Sequence, residues 1–523
     1  MKNLARTTIP FLIFACLSPL FGQPKDSPLT LSLEESILRA MKNNLSVAIQ
    51  VLNPEISAAA VTQASEKFYP TLTMSMANRK TNSASYSFLD ASSASVQNRF
   101  NDYSVEVGQT LPGGGSLGIT FDNTKNTTTQ SYQTINPRFG STLTFNFTQP
   151  LLKDFGWNTS RHEILLARNN LAISESQLEL QLMATIYNVE QAYWTLVYSI
   201  NSLDVSRKSL NLAQDLLEKN KRSVEVGQLA PIDVLSAQAE VATREAEILE
   251  AEAQVKNAED QLKTILNLSD EERKTFSSII PKDSPTAQVR EISLDQALVT
   301  AIQNRPELQS SRITLKNQEL NLTYARNQLL PGLNLTAQYW SPGISGTRIL
   351  YLNDNALTGI VIGKIPAGSS QAIRDASSFK YKNWSLGLTL DVPISNVFSR
   401  AAVIQAKLNV EQAVLDVKNQ EQQIYLEITT AVRAVQTNFK RVQAYKVARE
   451  LAEQKLAAET EKLKVGLSTN YLVLQNQRDL ATALTSELKA VVDYSVSLAA
   501  LDRALGVSLK NKNIKIADSR MTE

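Results

Sequence analysis

The side chains that most often carry chemistry are scarce in this sequence. His162 is the only histidine and Cys16 is the only cysteine, so neither a histidine-based catalytic triad nor a metal site built from several such ligands is available. Carboxylates are plentiful, but they occur at helical spacing, which is typical of solvated faces and ion pairs. The glycines at 113–115 lack the strand-to-helix context of a phosphate-binding loop. We therefore expect no catalytic site, no cofactor and no metal.

Charge and the N-terminus limit the remaining classes of protein. The 523 residues contain 53 Lys and Arg against 51 Asp and Glu, a balance that argues against nucleic acid as a partner. Lys2 and Arg6 precede an apolar run from Ile9 to Leu17, which predicts a signal peptide over residues 1–22. This run is about half the roughly 18–20 residues that cross a bilayer as a helix, and no later apolar run is longer. The sequence therefore predicts no transmembrane helix.

Cys16 ends the short segment Ile13-Phe14-Ala15-Cys16, which is similar to a lipoprotein cleavage box. Lipidation of Cys16 is one interpretation of this segment. Cleavage of an ordinary signal peptide near Gly22 is the alternative, and the sequence leaves both open.

The chain contains an internal duplication. Ser32–Ala40 returns as Ser293–Ala301 at an offset of 261, and the later motif at Val226-Gly227 returns at an offset of 239. The sequence thus divides into a first repeat at 23–269, a linker at 270–290, a second repeat at 291–510 and a tail at 511–523. Each repeat reads as a short helix, then strands, then two long helices around a glycine turn. The first helix is predicted to begin at Ser32, with Glu35 three residues on as its capping-box partner.

Alternation of apolar and polar residues predicts strands in both repeats. A soluble sandwich would point the apolar face inward and a membrane barrel would point it toward lipid, so alternation alone does not choose between them. Residues 341–380 are predicted to form a long external loop. The predicted strands lie at 68–78, 102–111, 115–123, 140–149, 332–340 and 383–391.

The helical segments carry a seven-residue apolar repeat, which predicts coiled coils. No glycine or proline occurs from Arg161 to Val224, and 64 helical residues would span about 95 Å. The apolar positions are Leu182, Val189, Leu196, Leu203, Leu210, Leu217 and Val224, then Val234, Val241, Ile248, Val255 and Leu262, with a looser counterpart in the second repeat.

This order of elements resembles the TolC-like outer-membrane factors over essentially the whole mature chain. The duplicated segments and the two turns carry the resemblance, which no single motif would establish. The turns read VGQLAPIDVL at 226–235 and VGLSTNYLVL at 465–474. The resemblance implies an α+β membrane protein: a trimeric transmembrane β-barrel continued by a long antiparallel α-helical coiled-coil barrel.

Function and site residues are also implied by this resemblance. The chain would be a homotrimeric channel subunit in the outer membrane that extends into the periplasm and serves a tripartite efflux or type I secretion system. A periplasmic adaptor and an inner-membrane transporter would open this passive duct. The expected docking residues are Val226, Gly227, Ala230, Pro231, Val465, Gly466 and Ser468, and the expected aperture residues are Asp233, Leu472 and Gln475.

Two features depart from the pattern of the family. Its members narrow the tunnel with acidic residues where this chain has Leu472 and Gln475, so an acidic ring that cations block is not expected. Four predicted strands in the first repeat also exceed the usual two. Either six strands per chain enter the barrel, or the hairpin at 102–123 packs outside the membrane plane. We favour the second arrangement.

Two other functions remain open at this stage. A periplasmic coiled-coil adaptor would share the signal peptide, but would normally have one helical hairpin rather than two. A secreted hydrolase would need a nucleophile and a base that the sequence does not offer.

Overall fold

The computed structural model describes residues 28–85, 95–276 and 278–514. The predicted signal peptide with Cys16 lies outside these residues, as does the part of the predicted 511–523 tail that follows residue 514. The strands are β1 Leu29–Leu31, β2 Thr71–Ala84, β3 Ser95–Thr110, β4 Ser116–Thr128, β5 Ile135–Pro150, β6 Ile279–Pro281, β7 Gly332–Tyr351, β8 Val361–Ile365 and β9 Asn383–Asp391. The helices are α1 Leu33–Asn43, α2 Leu45–Ser65, α3 Trp157–Ser160, α4 His162–Glu225, α5 Pro231–Ile265, α6 Asp270–Thr275, α7 Leu294–Asn304, α8 Pro306–Asn327, α9 Ser370–Ser377, α10 Val397–Lys464, α11 Asn470–Ala504 and α12 Ser508–Asn511.

The chain divides into two compact units. The helical unit comprises the residues up to Ala48, Leu182–Ala297 and Ile428–Ile514. The sheet unit comprises Ile49–Gln181 and Leu298–Glu427. Both units draw on both repeats, because the long helices α4 and α10 each begin in the sheet unit and end in the helical unit.

The helical unit contains a two-stranded parallel sheet of β1 and β6. Helix α1 follows β1 and begins with the predicted capping box of Ser32 and Glu35. Asp283, just after β6, accepts hydrogen bonds from the backbone N–H of Leu33 at 2.6 Å and from the hydroxyl of Tyr193 at 3.0 Å. Tyr193 is fully buried, and this burial raises its pKa to about 12. The predicted linker at 270–290 therefore also carries packed structure, with α6 and β6 inside it.

Helix α5 has a second set of buried coiled-coil positions besides the seven-residue apolar repeat. Three residues after each of the apolar positions Val234, Val241, Ile248 and Val255 comes a second, more deeply buried position. Alanine occupies three of these second positions and arginine the other. They are Ala237, Arg244, Ala251 and Ala258, all at most 8% exposed.

The sheet unit is built on one seven-stranded antiparallel sheet with the order β2-β3-β4-β5-β7-β8, in which β9 also pairs with β7. Its ladders are long: β2 pairs with β3 from Thr71–Gly108 to Ala84–Ser95. Strand β7 bridges the repeats, pairing with β5 on one side and with β8 and β9 on the other. The predicted external loop at 341–380 therefore contains the end of β7, strand β8 and helix α9.

The prediction that the hairpin at 102–123 lies outside the membrane plane is wrong. This hairpin is β3 and β4, and it lies inside the sheet between β2 and β5. Its apolar residues continue those of the neighbouring strands, with Val105 opposite Met74 and Ile119 opposite Phe145. Continuous pairing provides hydrogen-bond partners for the backbone groups of every inner strand. A detached hairpin would instead leave two extra strand edges with unpaired backbone groups.

The turn between β3 and β4 depends on a glycine, which makes the hairpin testable. Gly114 has a φ of +93°, and a Cβ there would lie 2.3 Å from the backbone oxygen of Asp154. We expect Gly114→Ala to destabilise the protein by about 2 kcal/mol, because strain and a backbone clash add together. The thermal unfolding midpoint of the detergent-purified protein should fall by a few degrees.

Gly113 is the matched control for this prediction. A Cβ at Gly113 meets no heavy atom within 4 Å, so Gly113→Ala should unfold at the wild-type temperature. Equal unfolding temperatures for the two variants would show that the turn does not have this geometry.

One helix passes a length and composition test for a membrane span, although no single apolar run in the sequence is that long. Among the described residues, Leu45–Phe68 meets this test by length and composition, with a mean hydropathy of 1.2 and 11% of the apolar window buried. The sequence count missed this helix because Asn53 and Pro54 interrupt its apolar run, whereas its average composition remains apolar.

Candidate functional site

The first helix-hairpin turn, between α4 and α5, is closed by backbone hydrogen bonds around Gly227. Gly227 has a φ of 75° and its N–H donates to the carbonyl of Val224 at 3.0 Å. The N–H of Gln228 donates to the carbonyl of Ser223 at 2.8 Å. These two bonds form a Schellman motif, which needs a left-handed residue and therefore favours glycine. Ala230 then caps α5, which begins with Pro231.

The second turn, between α10 and α11, repeats this geometry. Gly466 has a φ of 76°, and its N–H donates to the carbonyl of Leu463 at 3.1 Å. The N–H of Leu467 donates to the carbonyl of Lys462 at 2.8 Å. Ser468 hydrogen-bonds the Glu459 carboxylate, and this bond, with nearby Lys462, lowers the pKa of Glu459. The duplicated sequence motif is thus a duplicated turn structure.

Both turns expose large apolar side chains. Val226 is 69% exposed and Leu467 is 78% exposed. A closed backbone that holds several apolar side chains in solvent is typical of a surface that binds another protein. The further exposed apolar residues are Ile232 and Leu235 at the first turn, and Val465, Tyr471 and Leu472 at the second. The sequence-predicted docking residues share these turns, but motif matching missed Ile232, Leu235, Leu467 and Tyr471.

The helices next to the two turns pack against each other. Leu216 of α4 forms a buried cluster with Val473 and Leu474 of α11, and Leu456 and Leu463 of α10 pack against it. This cluster holds the two hairpins side by side, so the exposed turns lie at the same end of these helices.

The predicted aperture residues lie near the starts of α5 and α11. Leu472 and Gln475 are both exposed on α11 and carry no charge. Asp233 lies in the first turn of α5, where its negative charge interacts favourably with the positive end of the helix dipole. Within the part of the chain that the structure describes, Asp233 makes no salt bridge.

A buried ionic cluster joins α5 to α11 near the turns. The Glu240 carboxylate contacts Arg244 at 2.7 Å and also contacts Arg478 of α11. The side chains of Glu240 and Arg244 are 8% and 4% exposed, whereas that of Arg478 is 59% exposed. We call Glu240, Arg244 and Arg478 the tip network. No local sequence motif marks this network, although an arginine among alanines at one coiled-coil position is a signal that points to Arg244.

The sheet has one apolar and one polar face. Opposed residues in the ladders show that the apolar side chains of six strands share the same face, and most of them are exposed to solvent. We call this set the apolar band. Its members are Leu72, Met74, Met76, Tyr103, Val105, Val107, Leu117, Ile119, Phe121, Leu143, Phe145, Phe147, Leu333, Leu335, Ala337, Tyr339, Trp384, Leu386, Leu388 and Leu390.

The other face carries small and polar residues together with carboxylates. Asp102, Glu106 and Asp122 all lie on it, with Asp122 opposite Ser104. Helix α9 covers the same face as the apolar band, but beyond its end, where Ser341, Gly343 and Ser345 lie on β7. A sheet with a broad exposed apolar band and a polar opposite face is the pattern of a strand segment inserted in a membrane.

These features define a class of protein: a membrane-inserted channel subunit that carries both a barrel-type sheet and paired helical hairpins. Comparisons with known proteins agree with this class. The profile described as outer membrane efflux protein matches residues 37–268 and 297–507. Nodulation protein T of Rhizobium leguminosarum bv. trifolii is 23% identical over 359 residues, which are 68% of this chain and 69% of that protein.

Solved structures with the same fold are also channels. CusC superimposes with a TM-score of 0.64 at 15% identity, covering 91% of this chain and 92% of that chain. The Campylobacter jejuni CmeC channel gives 0.63 at 17% identity, covering 96% and 94%. The open state of the Neisseria gonorrhoeae MtrE channel gives 0.60 at 17% identity, covering 91% and 88%.

The chain belongs to the outer membrane efflux protein family. It is an outer-membrane efflux channel with the α+β fold of the TolC-like channels, located in the outer membrane with a periplasmic extension. The soluble-sandwich and periplasmic-adaptor alternatives are therefore set aside. Neither the family nor the fold is that of an enzyme.

Proposed function

We propose that three copies of this chain form one passive export duct, and that a periplasmic adaptor and an inner-membrane transporter engage it at the helix-hairpin turns. The duplicated pair of closed turns with exposed apolar side chains is the observation that carries the docking role. The partner transporter would supply the energy for export through this passive duct.

The free edges of the sheet support closure by other copies. Strand β2 forms one edge and β9 lies at the other end, and an open edge cannot remain in lipid because its backbone groups would be unsatisfied. The six long strands β2, β3, β4, β5, β7 and β9 alternate in direction, so β2 of one copy would meet β9 of the next in antiparallel fashion. Three copies would then close a barrel of eighteen strands, about the size at which barrels enclose an aqueous channel.

The aperture of this duct would lack the acidic ring of related channels. Leu472 and Gln475 are uncharged, and Asp233 lies at the start of another helix. Divalent cations bind rings of carboxylates strongly, but have no comparable ligand set at these two positions.

The test is single-channel conductance of the purified protein in a planar bilayer, together with the mass of the oligomer. We expect a trimer with a small closed-state conductance that divalent cations leave unchanged. A dimer would give twelve strands and contradict the eighteen-stranded barrel. A monomer that never inserts would overturn the proposed duct, and a block by micromolar divalent cations would contradict the uncharged aperture.

A further inference from the structure

Three adjacent strands share a repeated pattern beyond the end of the apolar band. On each strand, an apolar residue, an asparagine and a basic residue follow one another at every second position, so their side chains share one face. The three sets are Met76, Asn78 and Lys80 on β2, Tyr103, Asn101 and Arg99 on β3, and Phe121, Asn123 and Lys125 on β4.

The register of the sheet brings these sets together. Lys80 lies directly opposite Arg99, and Lys125 lies opposite Asn101, which is two residues from Arg99 along β3. We call Lys80, Arg99 and Lys125 the basic row. It lies on the same face as the apolar band, because residues at every second position of a strand share a face. Lys80 and Arg99 are each four residues from a band residue on their own strand, and these two band residues, Met76 and Tyr103, are directly opposite each other.

The basic residues lie at the same distance from the end of the apolar band on all three strands. On each of the three strands, the basic residue lies four residues beyond the last apolar residue of the band. Four residues span about 13 Å along a strand, and barrel strands tilt by about 35–45°. The basic groups thus lie about 10 Å beyond the band, in the range of the polar headgroup region of a bilayer.

The end of the sheet that carries this row is the one away from the long helices. The helix-connected ends of the strands are at Thr71, Pro150, Gly332 and Asp391, whereas the row lies toward the opposite ends of β2, β3 and β4. In the proposed duct the helices lie on the periplasmic side, so the row would face the outer leaflet.

The positive charges of the row lack a counter-charge within the described chain. Lys80, Arg99 and Lys125 make no salt bridge there, although Lys125 lies 5.8 Å from the centre of the Phe139 ring. The carboxylates of these strands, Asp102, Glu106 and Asp122, point to the opposite face. Two like charges directly opposite each other, as Lys80 and Arg99 are, destabilise a strand pair.

The asparagines add hydrogen-bonding groups between the apolar band and the basic row. Asn78 and Asn101 are directly opposed. The side-chain oxygen of Asn101 is buried and accepts no hydrogen bond within the described residues, a condition that usually calls for an external donor. Positive charge backed by amides, at the level of lipid headgroups, suits a ligand with phosphate and hydroxyl groups.

We propose that the basic row binds the phosphates of anionic lipids in the outer leaflet, with Asn78, Asn101 and Asn123 contacting the headgroup beneath them. This proposal rests on the membrane placement of the sheet in the proposed duct. The lipid supplies the counter-charge that the strands lack, and it fixes the height of the sheet in the membrane.

The experiment is native mass spectrometry of the full-length protein in detergent with two probes: bisphosphorylated lipid A and its phosphate-free form. The wild type should retain the phosphorylated lipid on the order of 10- to 100-fold more strongly than the phosphate-free form, since each Lys or Arg near an anionic surface raises the affinity a few-fold. Neutralising the row with Lys80→Gln, Arg99→Gln and Lys125→Gln should remove this preference.

The control neutralises three exposed lysines of α10 instead, with Lys418→Gln, Lys440→Gln and Lys446→Gln, and it should keep the wild-type preference. Equal retention of both lipids by the wild type, or an unchanged preference in the row variant, would overturn the proposal. Displacement of the lipid by millimolar inorganic phosphate would also overturn it, in favour of a simple ion site. Conductance of the same preparations separates the two proposals: normal channels without a lipid preference would contradict the lipid site alone.

Discussion

Replacing an exposed apolar side chain by a carboxylate at either helix-hairpin turn should abolish export. We expect Leu467→Glu and Val226→Glu to fail to complement a strain that lacks this protein. Complementation is measured as growth in the presence of a toxic compound to which the deletion strain is sensitive. Both side chains are mostly exposed in the single chain, so a carboxylate there costs little in folding. Burial of each apolar side chain against an adaptor would contribute about 2 kcal/mol, and this loss would recur in every copy of the oligomer.

Gln228→Glu is the matched control for this prediction. It places the same charge on the first turn, at an exposed polar residue, without removing apolar surface. We expect it to export at close to the wild-type rate, and all three variants to form the same oligomer. Full complementation by both Leu467→Glu and Val226→Glu would contradict the docking role of the turns.

Loss of the charge at Glu240 should make the closed channel leaky and less stable. Glu240→Gln leaves the buried Arg244 with only its longer contact to Glu247, at 3.5 Å, and releases Arg478 from α5. Removing one partner of a buried ion pair costs about 3–5 kcal/mol, and the lower end applies here because Arg478 is largely exposed. We expect a higher closed-state conductance, because the start of α5 is no longer tethered to α11, together with a lower unfolding temperature.

Two further variants separate the tether from general stability. Arg478→Gln removes the link to α11 but keeps the buried Glu240–Arg244 pair, so the leak should persist with a smaller loss of stability. Glu247→Gln removes a longer contact to Arg244, at 3.5 Å, from a side chain that is 48% exposed, and it should behave like the wild type. Wild-type conductance in Glu240→Gln would exclude the tip network from control of the aperture.

The parts of the fold that the sequence predicts are those encoded within short stretches of chain. The capping box of Ser32 and Glu35, the long helices and the glycine turns all depend on residues within a few positions of one another, and the structure confirms them. Duplication strengthened these predictions, since each pattern occurs twice. The resemblance to the TolC-like channels rested on the same local patterns, and it predicted the family correctly.

The candidate sites were predictable only as far as motifs reach. The turn residues around Gly227 and Gly466 were identified, because a left-handed residue between two helices has a sequence signature. The exposed Leu467 and Tyr471 were not, since an apolar residue in a sequence does not say whether its side chain is buried. Docking and aperture roles stay predictions, which the variants above test.

The sequence by itself determined the duplicated order of elements, the alternating strands and the closed turns, because neighbouring residues set backbone preference and side-chain direction. Only the tertiary structure decided which strands pair, and so placed the hairpin of β3 and β4 inside the sheet. It also brought Glu240 to Arg478, which are 238 residues apart in the chain, and aligned Lys80, Arg99 and Lys125 on one face. These contacts depend on strand register and helix packing, which arise from the cooperative burial of many distant residues rather than from any local pattern.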